Sequence, residues 1–149
     1  MSAQRTFNCF EVPHGSTEYD QTVALRDEIL RKPLGLEFDP QELAEESDSF
    51  HLVCVREGEL LGCLVLKPRA DRRIQMRQLA VRDDLQGRGI GAALVAFSES
   101  LSAERGFDEM ILHARDFAVG FYEKLGYEAF GELFYEVTIP HRKMRKRIS

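Results

Sequence analysis

A glycine-rich segment, Gln86-Gly87-Arg88-Gly89-Ile90-Gly91, stands where an extended run gives way to a helical pattern. Its glycines leave backbone N–H groups uncovered at the start of that helix, where unpaired donors and the positive end of the helix dipole favour an anion. The segment has neither the Gly-Lys-Ser/Thr ending of a P-loop nor the G-x-G-x-x-G spacing of dinucleotide-binding folds. It predicts a pyrophosphate-binding loop. Glycines that only let a helix pack on a sheet would give the same pattern.

A second segment places a tyrosine on a short helix. Residues 117–125 have a helical apolar pattern, and Phe117, Phe121 and Leu125 fall on one face, which we predict to be buried. Tyr122 points about 100° away from Phe121, so it is free to face a cleft; the alternative is a core aromatic paired with Phe121. A phenol with a pKa near ~10 stays protonated at neutral pH and can donate a proton to a leaving group.

Both segments resemble motifs of the GNAT acetyltransferase superfamily. Gln86, Gly89 and Gly91 match its Q-x-x-G-x-G acyl-CoA pyrophosphate loop, and the stretch F-Y-E-K-L-G-Y from residue 121 resembles its second motif. The two motifs have the family's order and separation and cover residues 73–130. The resemblance implies acetyl-CoA as the co-substrate and requires no metal. The residues implied to contact acetyl-CoA are Leu79, Ala80, Val81, Gln86, Gly87, Arg88, Gly89, Ile90, Gly91, Ala92, Ala118, Phe121, Tyr122 and Lys124.

The chemistry that the resemblance implies is attack of an amine on a thioester carbonyl. An alkyl ammonium has a pKa near ~10.4 and a thiol near ~8.5, so near neutral pH the amine needs a base and the departing thiolate gains from an acid. Tyr122 is the implied acid. Backbone N–H groups of the fourth strand, around Leu79, Ala80 and Val81, are implied to stabilise the oxyanion. Arg115 stands where many family members carry Asn.

Candidates for the base lie near the C-terminus. Glu136 and His141 belong to a stretch that resembles the I-P-H-x-x-M ending of one GNAT branch, with Thr138 in place of a usual glycine. We predict that these two residues deprotonate the amine, directly or through water. The alternative for His141 is a satisfied histidine on an edge strand. His113 and His51 are interpreted as structural.

The elements that must position these residues follow one another without a linker or repeat, so we predict a single GNAT domain over residues 1–149. Thr17 and Asp39 are the predicted N-caps of the first two helices, and Pro33 ends the first. The predicted strands are 6–12, 50–56, 60–67, 73–81, 110–114, 127–130 and 134–139. The helices are 17–32, one from residue 40, one from residue 90 with Gly106 as its C-terminal cap, and 117–125.

That order is also the order of the GNAT fold. The resemblance therefore implies an α/β (α+β) fold with a central mixed β-sheet whose strands are mostly antiparallel. The sheet is expected to be flanked by helices and splayed between the fourth and fifth strands.

Composition limits the function classes. The chain of 149 residues carries a net charge of -5, which opposes broad nucleic-acid binding. No apolar run approaches the ~18 residues of a membrane span, and the start lacks the pattern of a signal peptide, so we expect a cytoplasmic protein with no membrane contact. We interpret Cys9, Cys54 and Cys63 as reduced core thiols. Arg26 and Arg31 are interpreted as surface arginines. The last group of basic residues is interpreted as a solvated tail: Arg142, Lys143, Arg145, Lys146 and Arg147.

Two functions fit these residues. One is an N-acetyltransferase that moves the acetyl group of acetyl-CoA to a primary amine of a small molecule or peptide, by direct attack in a ternary complex. The other is a non-catalytic acyl-CoA sensor with the same fold. The presence of Tyr122 together with Gln86, Gly89 and Gly91 favours the enzyme. The acceptor, and the choice between monomer and homodimer, stay open.

Overall fold

The computed structural model describes residues 6–149. The prediction of localisation relied in part on residues 1–5, which lie outside the described residues. The strands are β1 (Asn8–Val12), β2 (Phe50–Arg56), β3 (Glu59–Pro68), β4 (Arg73–Val81), β5 (Glu109–Arg115), β6 (Glu128–Glu136) and β7 (Ile139–Arg147). The α-helices are α1 (Thr17–Arg26), α2 (Pro40–Ala44), α3 (Ile90–Glu104) and α4 (Val119–Lys124). No helix within residues 6–149 is long and apolar enough to cross a membrane.

The strands form one mixed sheet in the order β1-β2-β3-β4-β5-β7-β6. β4 and β5 are parallel, and their pairing runs from Arg73↔Glu109 to Met76↔Leu112. The pairing stops there although β4 continues to Val81, as expected for a sheet that splays at this point. The pairs β1–β2, β2–β3, β5–β7 and β6–β7 are antiparallel. The predicted fold class is therefore confirmed.

The chain divides into two compact units. The first comprises the chain up to Lys67 together with Gln78–Ser98, and the second comprises Pro68–Arg77 together with Glu99–Ser149. In the first unit a buried cluster contains Val12, Leu25, Val53, Cys63 and Ala80. In the second, Met110, Leu112, Ala114 and Met144 are buried. That residues 1–149 act as one domain stays a prediction.

The first helix differs from its prediction at both ends. Ser16, not Thr17, is the N-cap, because its side chain accepts a hydrogen bond from the Tyr19 N–H. The α-helix ends at Arg26 and continues as a π-helical turn, Asp27–Arg31, and a 3₁₀ turn, Lys32–Leu34. Pro33 therefore lies within the last turn and does not end the helix. The predicted cap of α2 is confirmed, since the Asp39 side chain accepts from the Gln41 N–H.

Close packing fixes the start of α3 against β3 in the first unit. A Cβ atom added to Gly62 of β3 would lie 3.0 Å from the Ala80 carbonyl oxygen, and 3.1 and 3.2 Å from side-chain carbons of Leu94 and Ile90. Glycine thus lets the helix approach the sheet, which a side chain at this position would prevent. The N-terminus of α3 is held by Ile90 and Leu94, both fully buried.

The C-terminal strands contradict the predicted pattern in the second unit. The predicted strand 134–139 is wrong: β6 runs to Glu136, Val137 and Thr138 form the turn, and β7 begins at Ile139. The basic residues predicted to be a solvated tail form β7, which lies between β5 and β6. Two of these charges are paired inside the unit, where Arg145 donates to Glu128 and Lys146 to Glu99, each at 3.0 Å. Lys143, Arg145 and Arg147 are exposed.

All three cysteines are free, as predicted. Cys54 and Cys63 are buried, whereas Cys9 is half-buried. Burial raises the pKa of the Cys63 thiol to about 12.

Candidate active site

The glycine loop, residues 86–91, joins the end of β4 to α3 in the first unit. Gly87 and Gly89 both have left-handed φ angles, 81° and 85°, which favour glycine. Residues 86–89 are exposed, and the first helical bond of α3 runs from the Ala93 N–H to the Gly89 carbonyl. The Gln86 amide braces the loop from within by donating to the Val81 carbonyl at 3.2 Å.

The alternative of a glycine loop made only for packing can be tested at Gly87 and Gly89. A Cβ atom added to either residue would meet nothing within 4 Å. Close packing at the start of α3 requires glycine at Gly62, not at these two positions. Gly87 and Gly89 therefore serve the backbone path of the loop and leave the space above it open, which is the arrangement that an anion at a helix N-terminus needs.

The end of β4 carries a backbone irregularity next to Leu79, Ala80 and Val81, the residues implied to contact the thioester. Gln78 has φ 55°, a left-handed value within a strand. Its side-chain oxygen accepts a hydrogen bond from Arg26 Nε at 2.8 Å. Ala80 is buried, whereas Leu79 and Val81 are half-buried.

The interpretation of Arg26 as a surface arginine is wrong. Its side chain has no exposed area, and it donates to both carboxylate oxygens of Glu46. Tyr19 also donates to Glu46, at 2.8 Å, so the buried charge is paired and hydrogen-bonded. Arg31 is partly covered, lying over the Phe38 ring at 4.4 Å.

Tyr122 lies on α4 in the second unit, but the predicted faces of that helix are wrong. Phe117 is 76% exposed and Phe121 37%, whereas Tyr122 is only 8% exposed. Residues 116–118 form a 3₁₀ turn, and this shifts the phase of the apolar pattern before the α-helix begins. The Tyr122 ring packs edge-on against Phe121 and Tyr127.

Burial also changes the acidity of this tyrosine. It raises the pKa of Tyr122 to about 12, because a phenolate would lose its hydration there. The other two α4-region residues implied to contact acetyl-CoA are Ala118, which is half-buried, and Lys124, which is exposed.

Glu136, His141 and His113 lie together on β6, β7 and β5 of the second unit. His113 Nδ1 lies 3.0 Å from Glu136 Oε2, and His141 Nε2 lies 3.8 Å from Glu136 Oε1. The Phe134 ring contacts both imidazoles. We call these three residues the His–Glu–His cluster. The structure thus brings the two predicted base candidates together and adds His113.

The hydrogen bonds of the cluster assign the proton on His141. His141 Nδ1 lies 2.8 Å from the Ile139 carbonyl oxygen, which can only accept, so Nδ1 carries the hydrogen. In the neutral imidazole Nε2 is then free to accept a proton on the side of Glu136. His141 is also not on an edge strand, since β7 pairs with β5 through Arg115 and with β6 through Phe134.

Sequence reasoning did not connect Gln78 with Arg26, or His113 with Glu136. Gln78 and Arg26 are 52 positions apart, and His113 and Glu136 are 23 apart. No local pattern connects residues at such separations. The signals available were a glutamine in a strand of mixed polar and apolar residues and an arginine on the first helix, and both are also common on surfaces.

His51 agrees with its structural interpretation. It is buried, its Nε2 donates to the Glu46 carbonyl at 2.9 Å, and burial lowers its pKa, which favours the neutral ring. No group of three or more His, Cys, Asp or Glu side chains in the described chain is arranged to hold a metal ion.

The fold and the glycine loop define a class of acyl-transferring proteins, and comparison with known families agrees. Residues 28–148 match the family described as "Acetyltransferase (GNAT) domain". The chain therefore belongs to the GNAT acetyltransferase family.

Three relatives illustrate the similarity. The chain is 28% identical over 142 residues to the protein YyaT of Bacillus subtilis (strain 168), which covers 90% of this chain and 93% of YyaT. The crystal structure of an acyl-CoA N-acyltransferase from Pseudomonas aeruginosa has a TM-score of 0.80 at 22% identity, with 95% of this chain and 99% of that chain covered. An aminoglycoside 6'-N-acetyltransferase complexed with coenzyme A has a TM-score of 0.80 at 20% identity, with 95% and 97% covered. At these identities the two structures establish the shared fold.

Proposed function

We propose that this protein is an N-acetyltransferase that moves the acetyl group of acetyl-CoA to a primary amine of a small molecule or peptide, by direct attack in a ternary complex. The observation that carries the proposal is the glycine loop at the start of α3, where Gly87 and Gly89 are left-handed, exposed and free of packing neighbours. Backbone N–H groups at such a helix start bind phosphate oxygens. A pyrophosphate held there would anchor the co-substrate.

Two groups are proposed to act on the thioester. Backbone N–H groups around Leu79, Ala80 and Val81 stabilise the oxyanion, and donors fixed in a strand need no reorganisation as charge develops. Tyr122 donates its phenolic proton to the departing CoA thiolate. A pKa of about 12 keeps this phenol protonated throughout the pH range in which such enzymes work.

The His–Glu–His cluster is proposed to supply the base. His141 Nε2 takes a proton from the acceptor ammonium, which leaves a neutral amine to attack the thioester, and the imidazolium that forms is stabilised by Glu136, 3.8 Å away. The bond from His141 Nδ1 to the Ile139 carbonyl keeps Nε2 as the basic atom. His113 donates to the other Glu136 oxygen and so orients the carboxylate.

Release of free CoA thiol from acetyl-CoA tests the proposal. The amines would include small primary amines, aminoglycosides (the substrates named for one structural relative) and peptides with a free N-terminus or a lysine. A reaction without acceptor gives the background, which includes reaction of the thiol-detecting reagent with the half-buried Cys9. We expect acceptor-dependent thiol release and an acetylated product of matching mass. A sensor would bind acetyl-CoA and release no thiol with any amine, and that result would overturn the proposal.

A further inference from the structure

Gln78 has a backbone conformation that its position in a strand does not explain. Among residues 6–149, the other non-glycine residues with positive φ all lie in turns; they are Glu57, Asp71, Arg72, Val137 and Thr138. Gln78 alone among these has a left-handed φ within a strand, β4. A left-handed non-glycine residue is strained and persists only where its surroundings hold it.

The side chain of Gln78 is hydrogen-bonded to a buried arginine. Arg26 Nε donates to the Gln78 side-chain oxygen at 2.8 Å, and the two terminal nitrogens of Arg26 donate to Glu46. The guanidinium is planar, has no exposed area and is held at both carboxylate oxygens, so its Nε–H has one fixed direction. Tyr19 donates to Glu46 and fixes the carboxylate in turn.

The conformation of Gln78 decides the direction of the next backbone donor. The Leu79 N–H belongs to the peptide plane that joins residues 78 and 79, and that plane rotates with the backbone angles of Gln78. A return of Gln78 to ordinary strand angles would turn this N–H away from its present direction.

We propose that Arg26 is a positioning residue for acetyl transfer: through Gln78 it holds the irregular turn of β4 and thereby aims the Leu79 N–H at the thioester oxygen. The inference rests on the proposed function, which assigns the oxyanion to this segment. Arg26 itself touches neither substrate nor co-substrate in this role. Its effect belongs to the chemical step, because donors aimed at a developing oxyanion act in the transition state.

Arg26→Lys is the informative substitution. Lysine keeps a positive charge for Glu46 but has no Nε–H directed at Gln78. We expect kcat to fall by about 10- to 100-fold, somewhat less than the loss of a whole oxyanion donor. The dissociation constant of acetyl-CoA, measured by calorimetry, should stay unchanged, because the glycine loop is intact. Thermal melting shows whether Arg26→Lys is folded.

Glycine at position 78 supplies the decisive control. Glycine adopts a φ of 55° without strain, so Arg26→Lys/Gln78→Gly should recover most of the kcat that Arg26→Lys loses. Gln78→Gly alone should likewise be more active than Gln78→Ala, although both lack the side-chain amide. If Gln78 contacted substrate, the two single variants would be equally impaired. A loss in Arg26→Lys that glycine does not recover would overturn the inference.

The outcomes separate this inference from the proposed function. If the wild-type protein releases no thiol, the proposed function fails and the catalytic role of Arg26 fails with it. If the wild type is active and Arg26→Lys is equally active, only the inference fails. A readout independent of turnover is the amide chemical shift of Leu79, which should change in Arg26→Lys and return toward the wild-type value in Arg26→Lys/Gln78→Gly. An unchanged shift in Arg26→Lys would also overturn the inference.

Discussion

Tyr122 is a weak acid for the role proposed for it. Its pKa of about 12 lies well above the ~8.5 of a free thiol, so complete proton transfer to a solvated thiolate would be unfavourable. A thiolate released beside a buried phenol is itself poorly hydrated, however, and its pKa rises for the same reason. In the proposed mechanism the proton is therefore shared or transferred only when the thiolate forms inside the protein, and Tyr122 acts as an acid only in the transition state.

Replacing Tyr122 by phenylalanine should separate binding from chemistry. The ring and its contacts with Phe121 and Tyr127 are kept, and only the proton donor is lost. We expect kcat to fall by ~10²- to 10⁴-fold, the range of general-acid contributions, with the dissociation constant of acetyl-CoA unchanged. Steady-state kinetics and calorimetry provide the two numbers. Equal kcat in the two proteins would remove Tyr122 from the mechanism, whereas weaker binding with normal kcat would reassign it to co-substrate packing.

His141→Asn tests the base by its pH dependence. The asparagine amide can keep the bond to the Ile139 carbonyl but offers no basic nitrogen in place of Nε2. We expect kcat/KM for the amine to fall at pH 7. The deficit should shrink as the pH approaches ~10, where solution already deprotonates the amine. A deficit that is constant across this range would show that His141 does not act as the base.

The Gly89→Val substitution tests whether the loop needs glycine for its backbone conformation and for binding the pyrophosphate. Valine would be strained at a φ of 85° and would place a branched side chain in the space proposed for the pyrophosphate. We expect acetyl-CoA binding to weaken by at least ~10-fold. Gly106→Val is the matched control, since Gly106 has φ 93° beyond the other end of α3 and also has no neighbours within 4 Å of an added Cβ. Equal acetyl-CoA affinity in the two variants would contradict the phosphate role of the loop.

The turn of the β6–β7 hairpin is formed by two residues that disfavour its backbone conformation. Val137 and Thr138 have φ angles of 50° and 63°, and β-branched residues are strained in this region. Val137→Asn/Thr138→Gly has the residues that such a two-residue turn prefers, and we expect it to raise the free energy of unfolding by about 1 kcal/mol or more. Urea denaturation measures the change. The turn also joins Glu136 to Ile139, so thiol release by the same variant shows whether the strain serves the His–Glu–His cluster.

Prediction from sequence succeeded where one element carries its own signal. β2 and β4 have the predicted bounds, and the Asp39 cap and the glycine turn at Gly106 need no distant partner. Prediction failed where contacts with residues distant in sequence determine the structure of a segment. The basic residues of β7 alternate poorly with apolar ones, and only Glu99, Glu128 and the neighbouring strands make them a strand.

The candidate site follows the same division. The glycine loop could be recognised because the pattern proposed to bind a pyrophosphate lies in consecutive residues. The buried face of α4 could not be predicted, because the 3₁₀ turn before the helix shifts the phase of its apolar pattern. The Arg26–Gln78 contact joins two elements that are remote in sequence, and its geometry exists only after folding.

The molecule as a whole should lose stability in alkaline solution. Burial raises the pKa of Tyr19 and Tyr122 to about 12, and it also raises that of Tyr127. The folded state thus holds these protons more tightly than the unfolded state, whose phenols have a pKa near ~10. The stabilisation is complete below pH ~10 and is lost as the pH rises toward 12; Tyr122 accounts for roughly 3 kcal/mol of it.

Urea unfolding between pH 8 and 11.5 would measure this loss. Tyr122→Phe is the control, because it removes one titrating phenol and should make the decrease above pH ~10 less steep. A decrease equally steep in both proteins would mean that ionisation of Tyr122 does not contribute to alkaline unfolding.

The position of β7 has a consequence for synthesis. It is the last of the seven strands to leave the ribosome, yet it lies between β5 and β6. β5 can meet β4 while translation continues, but among the strands of residues 6–149 β6 pairs only with β7. Until β7 emerges, a nascent chain therefore exposes two strand edges that each accept the same partner.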